Sequence, residues 1–266
     1  MINDFSGKAV LITGATMGIG LATGLAFARQ GAVAWLTHKW GTAEEDEVLK
    51  QFRDAGLPTP RIVCADVGRE EDSKELLARM KAEHDGVEAF VSNVSVALIV
   101  RGLEDYEERA LYQSIHYSAW PMYAITRAIQ ASFGRYPRYV VGLSSGGPDA
   151  FYKNYDFVAA SKAVMETLCR YINFRLHAED IRINVVRSRL VRTESLRATF
   201  GPEFEDFASR FGANQFITCE EVANVILALC SGLMDGVSGQ VLMVDKGSSF
   251  FDNLMRLYEE REYLGL

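Results

Sequence analysis

Cysteine is scarce and unpaired in this sequence: four in 266 residues, at Cys64, Cys169, Cys219 and Cys230, with no Cys-x-x-Cys spacing. Such scatter supports neither a disulfide framework nor a zinc site and predicts buried thiols. Histidine is as thin. His38, His84, His116 and His177 show neither His-x3-His nor His-Glu-x2-His spacing, so no metal site is expected. Positive charge is in deficit, 28 Lys and Arg against 35 Asp and Glu, a formal net charge of -7. Nucleic acid and anionic membranes are therefore poor partners. Long apolar runs are missing too. In the opening stretch from Met1 to Thr13 the apolar run is about five residues, too short for a signal-peptide core or a bilayer span. A cytoplasmic protein is expected.

What is there is the composition of an ordinary globular chain, 48% hydrophobic and 24% charged, suited to one α/β domain over residues 1–266. Short runs rich in β-branched residues alternate with longer helical patterns throughout. The predicted strands are Ala9 to Thr13, Val33 to Thr37, Arg61 to Ala65, Ala89 to Ser92, Tyr139 to Ser144, Arg182 to Val186 and Gln240 to Val244. Seven such strands with helical crossovers predict a doubly wound parallel sheet of the Rossmann type, with ligands at the strands' carboxyl ends. Two stretches read as additions. In the segment 194–216, Phe200, Phe204, Phe207 and Phe211 recur on one helical face interrupted near Gly201-Pro202, a face that must cover something apolar. The tail 250–266 carries Phe251, Leu254, Leu257, Tyr258 and Leu264 among charges, an amphipathic helix expected to dock on its own or a neighbouring subunit. The acidic run Glu44 to Glu47 is expected to be a solvated helix face.

The strand Ala9 to Thr13 runs into Gly14-Ala15-Thr16-Met17-Gly18-Ile19-Gly20 and then into a helical pattern. Glycines where a strand turns into a helix let the backbone approach a pyrophosphate, and the helix start stabilises its charge. The spacing Thr-Gly-x3-Gly-x-Gly resembles the short-chain dehydrogenase/reductase family, and the resemblance extends over essentially the whole chain. It implies a nicotinamide dinucleotide held by Gly14, Thr16, Met17, Gly18, Ile19 and Gly20. It adds Asp66 and Val67 beside adenine, Asn93 in Ser92-Asn93-Val94-Ser95, and Val191 and Thr193 at the carboxamide. The second strand ends Thr37-His38-Lys39-Trp40 without the carboxylate that would bond free ribose hydroxyls. With His38 in that place and Lys39 able to pair with a 2′-phosphate, NADPH is the expected cofactor.

The family's Tyr-x3-Lys signature is altered. The stretch reads Val158-Ala159-Ala160-Ser161-Lys162, with valine at the usual tyrosine and Tyr155 seven residues before Lys162. Seven helical steps return to within about 20° of the same face, so the two side chains can share a site. This segment, with Ser144-Ser145 before it, is similar to the divergent Tyr-x6-Lys enoyl-acyl-carrier-protein reductases. The displacement has a physical reason: in conjugate reduction the hydride lands on the β-carbon, farther from the carbonyl oxygen, and three residues of helix move a tyrosine about 4.5 Å. The resemblance implies Tyr155 on the thioester carbonyl and the developing enolate, Lys162 on the nicotinamide ribose and favouring tyrosine ionisation, and Ser145 at the family's catalytic serine.

Other positions depart from the family. The relay asparagine is replaced by Ser114, and the usual Pro-Gly after the sixth strand by Arg187-Ser188, with Arg189 and Arg192 close behind. The arginines could meet the phosphates of a carrier-protein arm or coenzyme A, or form an internal ion-pair cluster with Glu194 and neighbouring acids. Three activities stand: reduction of an enoyl thioester in fatty-acid or polyketide-type metabolism, reduction of a ketone or β-keto thioester, or a silent dinucleotide-binding subunit. The implied partners are an acyl thioester, free or on a carrier protein, and three further copies of the chain in a homotetramer.

Overall fold

The computed structural model describes residues 3–39, 44–212 and 216–265, with backbone only at 210–212. Seven strands, β1 (Ala9–Ile12), β2 (Val33–His38), β3 (Arg61–Cys64), β4 (Val87–Ser92), β5 (Tyr139–Ser145), β6 (Arg182–Ser188) and β7 (Val241–Val244), form one sheet in the order β3-β2-β1-β4-β5-β6-β7. Every pairing is parallel. Each expected strand is present, with ends moved by no more than two residues. The chain is thus the doubly wound α/β fold that the alternation predicts.

The sequence of β1 shows why. Val10 and Ile12 enter the core on one side of the sheet, with Phe27, Leu36 and Ile226, while Ala9 and Leu11 enter the other, with Trp35, Phe90 and Met165. Strand side chains alternate between faces, so a strand apolar at every position must be covered on both. The covering helices are α1 (Gly18–Ala28), α2 (Glu45–Asp54), α3 (Glu70–Glu83), α4 (Glu108–Ser118), α5 (Trp120–Phe133) and α6 (Asp156–Arg175). The later ones are α7 (Glu194–Phe200), α8 (Pro202–Gly212), α9 (Cys219–Leu229), α10 (Asn253–Glu259) and α11 (Arg261–Leu264). Strand order reverses between β1 and β4, which opens a crevice at their carboxyl ends.

The interruption expected near Gly201-Pro202 is present: Gly201 at φ +84° ends α7 and Pro202 begins α8, and Phe216 then leads into an extended bridge between Ile217 and Val191. Three other expectations need correction or qualification. The tail is likewise broken into α10 and α11, and Phe250, Phe251, Leu254, Met255, Leu257 and Tyr258 are exposed rather than docked on this chain. Of the cysteines, Cys169 and Cys230 are buried as expected, Cys219 is half-buried and Cys64 is exposed at the end of β3. The acidic run does face solvent at the start of α2, but Glu45 accepts a hydrogen bond from His38 Nε2 at 2.8 Å. Expectations on Trp40, the side chain of Phe211 and Leu266 lie outside the described residues. Among the described residues, no helix is long and apolar enough to cross a membrane, and no group of three or more His, Cys, Asp or Glu could hold a metal ion.

Candidate active site

A cavity of about 610 Å³ occupies the crevice at the carboxyl ends of the strands. At one end the glycine loop bends through positive φ at Gly14 (+62°) and Gly18 (+56°), a region open to glycine at little cost. Gly20 lies beneath it and does not line the cavity. A Cβ there would stand 2.5 Å from the Gly14 carbonyl oxygen and 2.7 Å from Asn93 Nδ2, so its contribution is the close approach of helix to loop. Helix α1 starts at the cavity with no side-chain cap and no acidic residue in its first turn. Its free N–H groups and dipole suit an anion such as a pyrophosphate. Asn93 ties the loop down, its Nδ2 donating to the carbonyls of Thr13 (3.1 Å) and Gly14 (2.8 Å). Thr16, Met17, Ile19, His38, Lys39, Asp66, Val67, Val191 and Thr193 line the same cavity. These residues fit an extended dinucleotide. At the adenosine end, however, Lys39 already has a carboxylate near it, Asp66 Oδ2 at 3.7 Å.

At the other end stand the three expected catalytic residues. Ser145 closes β5, and Tyr155, at the N-cap of α6, accepts the helix's first bond from the Ala159 N–H at 2.8 Å. The ring of Tyr155 sits on Gly147, where a Cβ would come within 3.0 Å of it. Burial pushes the Tyr155 phenol above its ordinary value, and the Ser145 side chain bonded to it pulls the other way. The opposing group is thus Ser145 and not Lys162, contrary to the expected role of the lysine. Lys162, buried two turns into α6, donates to the Leu143 carbonyl at 2.7 Å. Burial lowers it to about 8, against the pull of Glu166 one turn further on. Val158, where the usual tyrosine would stand, lines the cavity with a side chain that has no dissociable proton. Phe200, the last residue of α7, reaches over the site, with ring centroids 6.0 Å from Tyr155 and 5.1 Å from Phe204. Of the four phenylalanines it alone lines the cavity among those described; Phe207 is exposed.

The arginines diverge instead of clustering. Arg187 is buried and makes a fork to Glu166, with Nε to Oε1 at 2.9 Å and Nη2 to Oε2, and Nη1 to Asp149. Ser144 donates to the same Glu166 oxygen at 2.6 Å. Burial pushes Glu166 up and Arg187 down, yet the paired fork holds both charged. Arg187 is therefore an internal ion pair, but its partners are Glu166 and Asp149, not Glu194, and it does not line the cavity that Tyr155 and Lys162 share. Arg189 and Arg192 do line the cavity. Arg189 Nε donates to Tyr152 Oη at 3.1 Å and Nη1 to Ser248 Oγ at 3.3 Å, while Arg192 lies over the Phe216 ring at 4.6 Å. Ser114 is buried on α4, and its hydroxyl has no hydrogen-bond partner among the described residues. Sequence reasoning missed Glu166, although its place four residues after Lys162 put it on the same helical face. It also missed the Arg189–Tyr152 bond, for which the sequence holds no signal.

Comparison with known proteins agrees with this geometry. The family model described as enoyl-(acyl carrier protein) reductase matches residues 14–249. An enoyl-acyl-carrier-protein reductase (NADH) of Neisseria meningitidis serogroup B is 25% identical over 249 residues, 91% of this chain and 95% of that one. A 1-cyclohexenylcarbonyl-CoA reductase of Streptomyces collinus is 27% identical over 248 residues, 90% of this chain and 86% of that one. Among solved structures, 7α-hydroxysteroid dehydrogenase complexed with NADH and 7-oxoglycochenodeoxycholic acid superposes with a TM-score of 0.81 at 22% identity, covering 93% of this chain and 98% of that one. With the family model spanning the glycine loop, the displaced tyrosine and the last strand, the chain belongs to the enoyl-(acyl carrier protein) reductase family of the short-chain dehydrogenase/reductases.

Proposed function

We propose that the protein reduces the α,β double bond of an enoyl thioester with NADPH. The observation that carries the reading is the wall of the cavity formed by α6. Tyr155 and Lys162 both line it, and the position between them that would serve a ketone is the inert Val158. The nicotinamide supplies hydride when bound. Lys162, Val191 and Thr193 would hold its ribose and carboxamide, Lys162 with the two N–H donors that its bond to the Leu143 carbonyl leaves over. Tyr155 then donates its hydrogen bond to the thioester oxygen and stabilises the negative charge that develops there. Its raised value keeps it protonated for that purpose at neutral pH. Phe200, packed against the rings of Tyr152 and Tyr155, offers an apolar cover for the acyl chain.

The preference for NADPH rests on β2 ending in His38 and Lys39, with Lys39 partly exposed at the cavity. A 2′-phosphate would draw it from Asp66, since a doubly charged group at short range outweighs one carboxylate at 3.7 Å. The Neisseria relative is named for NADH, so the cofactor preference stands apart from the reaction itself. The exposed apolar residues of α10 and the family resemblance support a homotetramer, tested by light scattering at micromolar concentration.

The same Ser145–Tyr155 pair could also receive a ketone oxygen, which favours carbonyl reduction as the second reading. Consumption of NADPH and NADH with paired enoyl and β-keto thioesters of equal chain length separates the two. Turnover of the enoyl compound alone is expected, and turnover of the β-keto compound alone would defeat the assignment. Cofactor binding with no turnover on either would favour the silent subunit.

A further inference from the structure

Resting on the enoyl reduction proposed above, we infer that Tyr152, held by Arg189, is the acid that protonates the α-carbon, a task separate from that of Tyr155. Two phenols face this cavity. Their rings pack edge to face with centroids 5.8 Å apart, and each stands on its own glycine of the turn after β5. A Cβ on Gly146 would lie 2.6 Å from Tyr152 Oη, and one on Gly147 3.0 Å from the Tyr155 ring. The turn is therefore shaped for both rings.

Both phenol oxygens accept, but from different partners, a neutral hydroxyl for one and a guanidinium for the other. Tyr155 is engaged with Ser145 and, kept protonated by its burial, is suited to holding an oxygen. Tyr152 accepts from the Nε–H of Arg189 at 3.1 Å, which leaves its own hydrogen free to be given away. The guanidinium is anchored in turn. Its Nη1 donates to Ser248 Oγ at 3.3 Å, and Ser248 belongs to a turn whose N–H groups at Gly247 and Ser249 are gathered by the buried Asp245. Among the described residues Arg189 makes no ion pair within 4.0 Å, and its charge helps hold the buried Asp245 carboxyl below its ordinary value. Arg189 thus meets Tyr152 as a cation with no direct ion pair among the described residues, beside a proton donor.

Conjugate reduction needs two donors in different places. Hydride, one hydrogen and two electrons from the reduced nicotinamide, forms a C–H bond at the β-carbon, and the displaced π pair leaves an enolate with charge on oxygen and on the α-carbon. Tyr155 satisfies the oxygen. The enolate pair then forms the second C–H bond with the Tyr152 hydrogen, the Tyr152 O–H bond breaks, and the phenolate left faces Arg189. Water returns its proton. A phenol that holds the oxygen throughout cannot at the same moment approach the carbon, and the second ring supplies what the first cannot.

The test is reduction of crotonyl-CoA in deuterium oxide by the unmodified protein, Tyr152→Phe, Arg189→Met and Tyr155→Phe, reading turnover and the configuration of deuterium at the α-carbon. In the unmodified protein one configuration is expected. Tyr152→Phe is expected to lose at least tenfold in turnover and to give a mixture, because bulk water then protonates the enolate from either side. Arg189→Met should do the same to a lesser degree. Tyr155→Phe should slow turnover and keep the single configuration. Unchanged rate and configuration in Tyr152→Phe would overturn the inference while leaving the enoyl reading intact. An unmodified protein that reduces no enoyl thioester would overturn both, the reading first.

Discussion

Glu166→Gln removes the one buried charge that keeps Arg187 in the core. Both side chains are nearly sealed, at 5% and 8% exposure, and Ser144 shares the same carboxylate. Glutamine keeps the shape. Its oxygen can still accept from Ser144 and one guanidinium N–H, but its amide then opposes a second donor with a donor. The guanidinium is left to Asp149, whose side chain is mostly in water. Breaking a buried pair from one side costs about 3–5 kcal/mol, because the other charge stays behind without compensation. Asp149 and the retained bonds argue for the lower end, about 3 kcal/mol. For a chain of this size that corresponds to a fall in Tm of roughly 6–12 °C. Thermal melts at neutral pH, followed by circular dichroism and by calorimetry, measure it. The double variant Glu166→Leu with Arg187→Met, which takes out both charges, should melt above the single variant. A single variant within about 1 °C of the unmodified protein would show that the fork does not carry the energy assigned to it.

Tyr155→Phe keeps the ring contacts with Tyr152 and Phe200 and loses only the hydroxyl. Turnover should fall about 10²-fold to 10³-fold with little change in cofactor dissociation constant; full turnover on an enoyl thioester would return the role to Ser145 or Tyr152. Lys162 is held at about 8, below its ordinary 10.5, so between those values the unfolded chain binds a proton that the folded chain lacks. Stability should therefore rise from pH 8 towards 10.5 by at most about 3 kcal/mol, and urea unfolding of Lys162→Met should lack that rise. Lys39→Ala should narrow the ratio of NADH to NADPH dissociation constants towards one, measured by calorimetric titration; equal constants in the unmodified protein would remove the motive. Gly20→Ala drives a Cβ to 2.5 Å from the Gly14 carbonyl, and should abolish dinucleotide binding while leaving secondary structure by circular dichroism largely intact.

The sequence by itself determined what depends on neighbours along the chain. Short apolar runs rich in β-branched residues made β1 through β7 legible, since a parallel strand covered on both faces is apolar at successive positions. The glycine loop could be read because a strand, a tight turn and a helix start follow one another within a few residues. Tyr155 and Lys162 could be paired because helical geometry alone returns them to one face. Gly201-Pro202 announced the break between α7 and α8. Tertiary structure decided everything that joins distant segments. Nothing near Arg187 in sequence says that its partners are Glu166 on α6 and Asp149 in the turn after β5, rather than the expected Glu194. Lys162 also bonds Leu143, a carbonyl that only strand β5 brings to it. Tyr152, Arg189 and Ser248 come from three separate strand ends, and their meeting depends on β5, β6 and β7 lying side by side. Local periodicity specifies elements because it is set by backbone geometry; a hydrogen bond between elements depends on packing angles and registers that arise only when the whole sheet has closed over its core.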